Sequence, residues 1–362
     1  MPGGPLKGFR ILEFAGLGPV PHCCMLLADM GADVVRIDRA GPKPTSREVV
    51  WRGREHLTLD LKEPKDVVVA LDLAASADVL VEGFRPGVME RLGLGPDEVL
   101  SRNPRLVYGR MTGWGQHGPL AAAAGHDVNY IAISGALHAM GRGGAAPSPP
   151  LNLVGDYGGG SLYLALGICA ALLETQRSGQ GQVIDCAMSD GVASLMALFY
   201  GLRGIGAWGE ARDANLLDGG APFYDVYTCA DGKFVAIGAL EPQFYRLLLK
   251  ALDVEGEPLF AEQMNQAAWP EMSARIAKII AAKPQAAWTS LMEGTDACFA
   301  PVLSMAEAPN HPHNRARGAF IELDGVTQPA PAPRFSRTPS AAKSANADAT
   351  DPASVLARWA RP

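Results

Sequence analysis

The chain has 362 residues, 48% apolar and 19% charged, enough for roughly two packed domains and unlike a disordered or coiled-coil composition. Its net charge of −6 speaks against a general nucleic-acid binder. Six cysteines without a Cys-x-x-Cys pair exclude a disulfide scaffold or ordinary zinc knuckle, and no apolar leader or long apolar run is read, so a cytoplasmic protein with no membrane span is expected.

The first half alternates strand and helix signals. Residues 9–16 (FRILEFAG) read as a strand ending in glycine, 22–30 as a helix and 33–38 (DVVRID) as a second strand. A short strand is expected at 57–61, a helix at 65–75, a strand at 78–84, a helix at 88–94 and a strand at 106–111. This alternation predicts parallel βαβ units, hence an α/β, Rossmann-like doubly wound sheet. Residues 128–140 and 162–173 are apolar nearly all round and predict two buried helices, followed by a strand at 183–188 and a helix at 189–203.

Five glycines between 204 and 220 mark a linker, placed at 204–222. A smaller α+β domain, 223–314, opens with a hairpin around Asp231-Gly232 and continues with helices at 242–252, 272–282 and 285–292. The large domain, 1–203, is expected to be completed by 315–362, where an extended tail follows Pro329 and a short helix spans 353–359.

The first turn, Gly16-Leu17-Gly18-Pro19-Val20-Pro21, is not a dinucleotide fingerprint. Pro21 stands where the third glycine is needed, and Pro19 removes an N–H that would meet phosphate. The basic residues are more telling. Arg36, Arg39, Arg85 and Arg91 fall at or beyond strand ends, where doubly wound sheets bind ligands, and arginine forks suit phosphate. Pairing with neighbouring carboxylates is the plain alternative, and Arg36 beside Asp38 fits it.

Three ionisable residues stand at helix starts. His126 precedes an apolar helix, Asp156 precedes Tyr157-Gly158-Gly159-Gly160, and Glu241 precedes Pro242. A helix N-terminus disfavours imidazolium, so His126 is kept able to accept a proton, and free N–H groups there could hold an oxyanion. For Asp156 the dipole lowers proton affinity while burial raises it. Capping and turn formation are the plain readings of all three.

The sequence resembles family III of the CoA-transferases and, within that superfamily, its α-methylacyl-CoA racemase branch. The likeness runs from residue 6 to about 336 through LKGFRILEFAGLGPVPH, GADVVRIDR, LTLDLK, VEGFRPGVMERLGLG, RMTGWGQHGP, AGHDVNY, PPLNLVGDYGGGS, GQVIDCAMSDG, NLLDGGAPFYDVY and GALEPQFY. It implies an interlocked homodimer, an acyl-CoA substrate, a place in fatty-acid and lipid metabolism, and no separate cofactor or metal. His126 and Asp156 would be the acid/base pair, with Glu241 supplied by the second chain. Coenzyme A would be met by Arg39, Leu59, Asp60, Leu61, Lys62, Gly83, Phe84, Arg85 and Arg91. Gly125, Asp127, Val128, Asn129 and Tyr130 would lie along the thioester. A transferase would instead use Asp156 as a nucleophile. A non-catalytic acyl-CoA-binding protein would keep the fold without turnover.

Overall fold

The computed structural model describes residues 3–41, 45, 47–345 and 349–360. They fall into two compact units, one drawn from 1–135, 150–196 and 315–362, the other from 136–149 and 197–314.

The first unit is a six-stranded parallel sheet, β1 (Arg10–Phe14), β2 (Asp33–Asp38), β3 (Arg54–Thr58), β4 (Val79–Glu82), β5 (Val107–Thr112) and β6 (Val183–Ala187), ordered 3-2-1-4-5-6. The helices are α1 (Pro19–Asp29), α2 (Pro64–Ser76), α3 (Val88–Arg91), α4 (Pro96–Arg102), α5 (Asp127–Ile133), α6 (Leu162–Ser178) and α7 (Met188–Leu195). Successive strand residues face opposite ways, so two cores form. Ile11, Val34 and Val107 pack with Leu27 of α1 and Ile168 of α6, whereas Leu12, Val35 and Tyr108 pack with Leu71 and Leu73 of α2.

In the second unit α8 (Ala197–Gly204) is followed by an antiparallel sheet of β7 (Tyr224–Thr228), β8 (Phe234–Gly238) and β9 (Phe299–Val302). Its helices α9 (Pro242–Ala251), α10 (Trp269–Ile280) and α11 (Gln285–Met292) enclose Phe223, Tyr245, Trp269 and Trp288. The chain continues through α12 (Pro312–Arg317), an antiparallel pair β10 (Phe320–Leu323) and β11 (Val326–Pro329), and α13 (Pro352–Trp359). In α13, Val355 and Trp359 are fully buried, and Trp359 Nε1 donates to Asp33 at 2.8 Å.

Several expectations need correction. The apolar stretch 128–140 is not one buried helix. It stops at Ile133, turns at Gly135 with φ +86°, and leaves Ile133 exposed. The stretch 162–173 is helical but buries only one side. It is also continuous with a π-helical segment, Leu153–Ser161. Together they form a 26-residue helical stretch long and apolar enough to cross a membrane by composition, and half of its most apolar 18-residue window is buried within the fold. The helix at 189–203 breaks at Met196 into α7 and α8.

Candidate active site

The residues expected to meet coenzyme A gather at the carboxyl ends of β2, β3 and β4, where an open doubly wound sheet binds ligands. Arg39 follows β2 and is exposed. After β3, Leu59 is buried, Leu61 half-buried, and Asp60 and Lys62 exposed. The Lys62 N–H donates to Asp60 at 3.0 Å, and the Asp60 N–H to Asp66 at 2.8 Å, so the turn is fixed by carboxylates. After β4 the buried Glu82 accepts the Phe84 N–H at 2.7 Å and Arg110 Nε at 2.9 Å. That carboxylate shapes the turn holding Gly83, Phe84 and Arg85. Gly83 packs closely, since a Cβ there would stand 3.0 Å from Val20 Cγ2. Arg85 and Arg91 are exposed.

The remaining arginines sort differently. Arg36 is buried, paired with Asp38 at 3.0 Å and Glu13 at 3.4 Å, with its guanidinium carbon 3.3 Å from the Trp51 ring centroid. Among the described residues it is the one of the four strand-end arginines paired with carboxylates.

His126 is the N-cap of α5, exposed, with its N–H accepted by Asn129 Oδ1 at 3.0 Å. Asn129 and Val128 are also exposed. Tyr130 is buried, its hydroxyl donating to the Gly125 carbonyl and its ring set edge-on to Trp114 at 4.7 Å. Gly125 leaves room for that ring, because a Cβ would come within 2.7 Å of Tyr130 Cε1. Asp127 is the first residue of α5, so its N–H has no intrahelical acceptor.

Asp156 projects from the π-helical segment, a geometry found disproportionately at functional sites. Its backbone N–H donates to Asp127 Oδ2 at 2.7 Å, bringing this segment against the start of α5. Its carboxylate accepts from Asn152 Nδ2 at 3.1 Å and lies over the β1–α1 turn. A Cβ at Gly18, where φ is +67°, would stand 3.0 Å from that carboxylate. The first glycine loop therefore makes room for this carboxylate.

Of the opposed effects on Asp156, those raising its proton affinity prevail. Burial is the larger and the Asp127 charge adds to it, while Asn152 and His126 act the other way. Glu241 belongs to the second unit, as the exposed N-cap of α9.

Sequence reasoning passed over His22. Its Nδ1 lies 2.6 Å from Ser161 Oγ and its ring stacks on Tyr157 at 4.3 Å, so it braces the segment carrying Asp156. Burial first, then Arg52 and Arg54, lowers its proton affinity. A histidine in the first helix turn carried no pattern marking this. Met188, at the start of α7, is buried in the first unit's core. Among the described residues no group of three His, Cys, Asp or Glu side chains is disposed to hold a metal.

The family model for CoA-transferase family III matches residues 6–352. Alpha-methylacyl-CoA racemase of Mus musculus is 51% identical over 337 residues, covering 92% of this chain and 87% of the mouse protein. The Homo sapiens protein of the same name is 47% identical with the same coverages. A CAIB/BAIF family protein from Brucella suis has the same fold, with a TM-score of 0.83, 24% identity, and coverage of 99% of this chain and 100% of that one.

Proposed function

The chain belongs to CoA-transferase family III, and from that premise we propose that it is an isomerase interconverting the (2R) and (2S) forms of 2-methylacyl-CoA thioesters. The observation that supports this reading is the 2.7 Å hydrogen bond from the Asp156 N–H to Asp127, the residue after His126, which sets the segment bearing Asp156 against the helix start that bears His126. Racemisation removes the α-proton from one face of the carbon and returns another to the opposite face. Each group is base in one direction and acid in the other. The intermediate is a thioester enolate, and the free Asp127 N–H at the start of α5 is a suitable donor to its oxygen.

Coenzyme A enters as part of the substrate, so the chemistry calls for no further cofactor. Arg39, Lys62, Arg85 and Arg91 are exposed around the strand ends and suit its phosphates. The reading includes a second copy of the chain, which would supply Glu241. Support for a partner comes from α6, where Leu162, Leu166 and Leu173 are 51, 66 and 64% exposed along one face.

Incubating one pure enantiomer of a 2-methylacyl-CoA with an added free carboxylic acid tests the reading. Loss of optical purity with coenzyme A staying on its original acyl group is expected. Transfer of coenzyme A to the added acid would establish the nucleophilic role of Asp156 instead, and tight binding without either change would leave a binding protein.

A further inference from the structure

Asp127 stands between the two groups of the proposed chemistry, and its carboxylate bears on them as well as its backbone N–H. Its side chain is 8% exposed. One carboxylate oxygen receives the Asp156 N–H, a charge-assisted bond of the stronger kind. Gly155 opens the way, because a Cβ there would stand 2.4 Å from Asp127 Oδ2 and 2.8 Å from its Cγ. The carboxylate therefore lies directly against the backbone that carries Asp156. At the same time Asp127 heads α5, next to His126, where the positive end of the helix tolerates its charge.

We propose that Asp127 is a positioning residue, whose carboxylate fixes the Asp156 segment against the helix start that bears His126. This rests on the racemase reading. The charge has a second consequence. An ordinary carboxylate is a weak base, poorly suited to exchanging acid and base roles near neutral pH. A second carboxylate beside Asp156 favours its protonated form and strengthens it as a base.

The groups facing Asp156 are consistent with this. From α5 come Asp127, His126 and Tyr130, whose hydroxyl is itself influenced by Asp156. The neighbouring residues of the π-helical segment meet His22 of α1 at Tyr157 and Ser161, and Cys186 of β6 at Gly160. On the α7 side Gly159 meets Met188 and Val192, and Asp190 lies in that helix's first turn.

The test compares Asp127→Asn with Asp127→Ala in the full-length protein. NMR of ¹³C-labelled aspartate carboxyls follows Asp156, whose signal is identified by its loss in Asp156→Asn. Asp127→Asn keeps the acceptor oxygen and removes the charge, so Asp156 should titrate at lower pH. The acid limb of α-proton exchange should move the same way, with kcat reduced only a few-fold. Asp127→Ala also loses the hydrogen bond, and kcat should fall by about 100-fold with little change in KM. Equal losses in both variants with the Asp156 titration unmoved would overturn the proposal. Should the unmodified protein exchange no α-proton while the titration still moves in Asp127→Asn, the racemase reading fails and the coupling of the two carboxylates stands.

Discussion

Replacing His126 by alanine should abolish inversion and make the two enantiomers unequal as substrates. In D₂O, Asp156 can still take the α-proton from its own face and return a deuteron there. One enantiomer therefore exchanges its C2 hydrogen without inverting. The other presents its hydrogen to the missing imidazole, and its exchange should drop by about 10²–10⁴-fold, the usual contribution of one general acid–base group. The protein should remain folded, because His126 is exposed and the hydrogen bond from its backbone to Asn129 does not need the imidazole. Because His126 is the N-cap of α5, its replacement by alanine costs about 0.5–2 kcal/mol, less than the stability of an ordinary domain. Proton NMR at C2 with chiral analysis reads both quantities. Equal residual exchange from both enantiomers would place the two bases elsewhere.

Glu13→Ala should produce the largest loss of stability among the charged residues of the sheet. Glu13 lies on β1, fully buried, in register with Arg36 on β2. Arg36 approaches it at 3.4 Å and Arg54 at 3.2 Å, and both guanidiniums are buried. Arg36 keeps Asp38 as a second carboxylate. Arg54 otherwise donates to the carbonyls of Pro21 and Val50, so removing Glu13 leaves its charge uncompensated within the fold. Breaking a buried pair from one side costs about 3–5 kcal/mol. For a unit of this size that is a fall in melting temperature of about 10 °C. Arg102→Ala is the control. It pairs with Glu98 and Asp72 at 40% exposure, where an ion pair contributes about 0–1 kcal/mol. A Glu13→Ala shift no larger than that of the control would contradict the burial argument.

Most of the sheet was legible because strands buried on both faces leave largely apolar runs, as in DVVRID at β2 and VLVE at β4, whereas β3, expected at 57–61, lies at Arg54–Thr58, where its charged residues masked it. The helix boundaries were less so. Ser134 and Gly135 end α5 within a stretch whose composition stays apolar to Met140, and only the left-handed Gly135 marks the break. A π-helix has no composition of its own, so the backbone carrying Asp156 read as a glycine turn.

One available signal was passed over. Asp324-Gly325, both with positive φ, is the two-residue turn joining β10 and β11. Conversely, Asp231-Gly232 does belong to a hairpin, but its strands stop at Thr228 and resume at Phe234, a wider loop than that dipeptide predicts.

His126 was legible as a residue at a helix start, whereas Asp156, expected just ahead of a helix, lies within the helical stretch that begins at Leu153. What joins them was not legible, because 29 residues separate the Asp127 oxygen from the N–H it accepts. His22 and Ser161 are 139 residues apart, and no local pattern links them.

The most direct measurement follows the hydrogen itself. A single enantiomer is mixed with excess enzyme in D₂O, and both isomers are recovered after a fraction of one turnover. Two groups on opposite faces predict that the newly formed isomer carries deuterium at C2 while the remaining starting isomer keeps its proton. A new isomer retaining the original hydrogen would mean that one group carries it from face to face, and His126 and Asp156 would not be the pair.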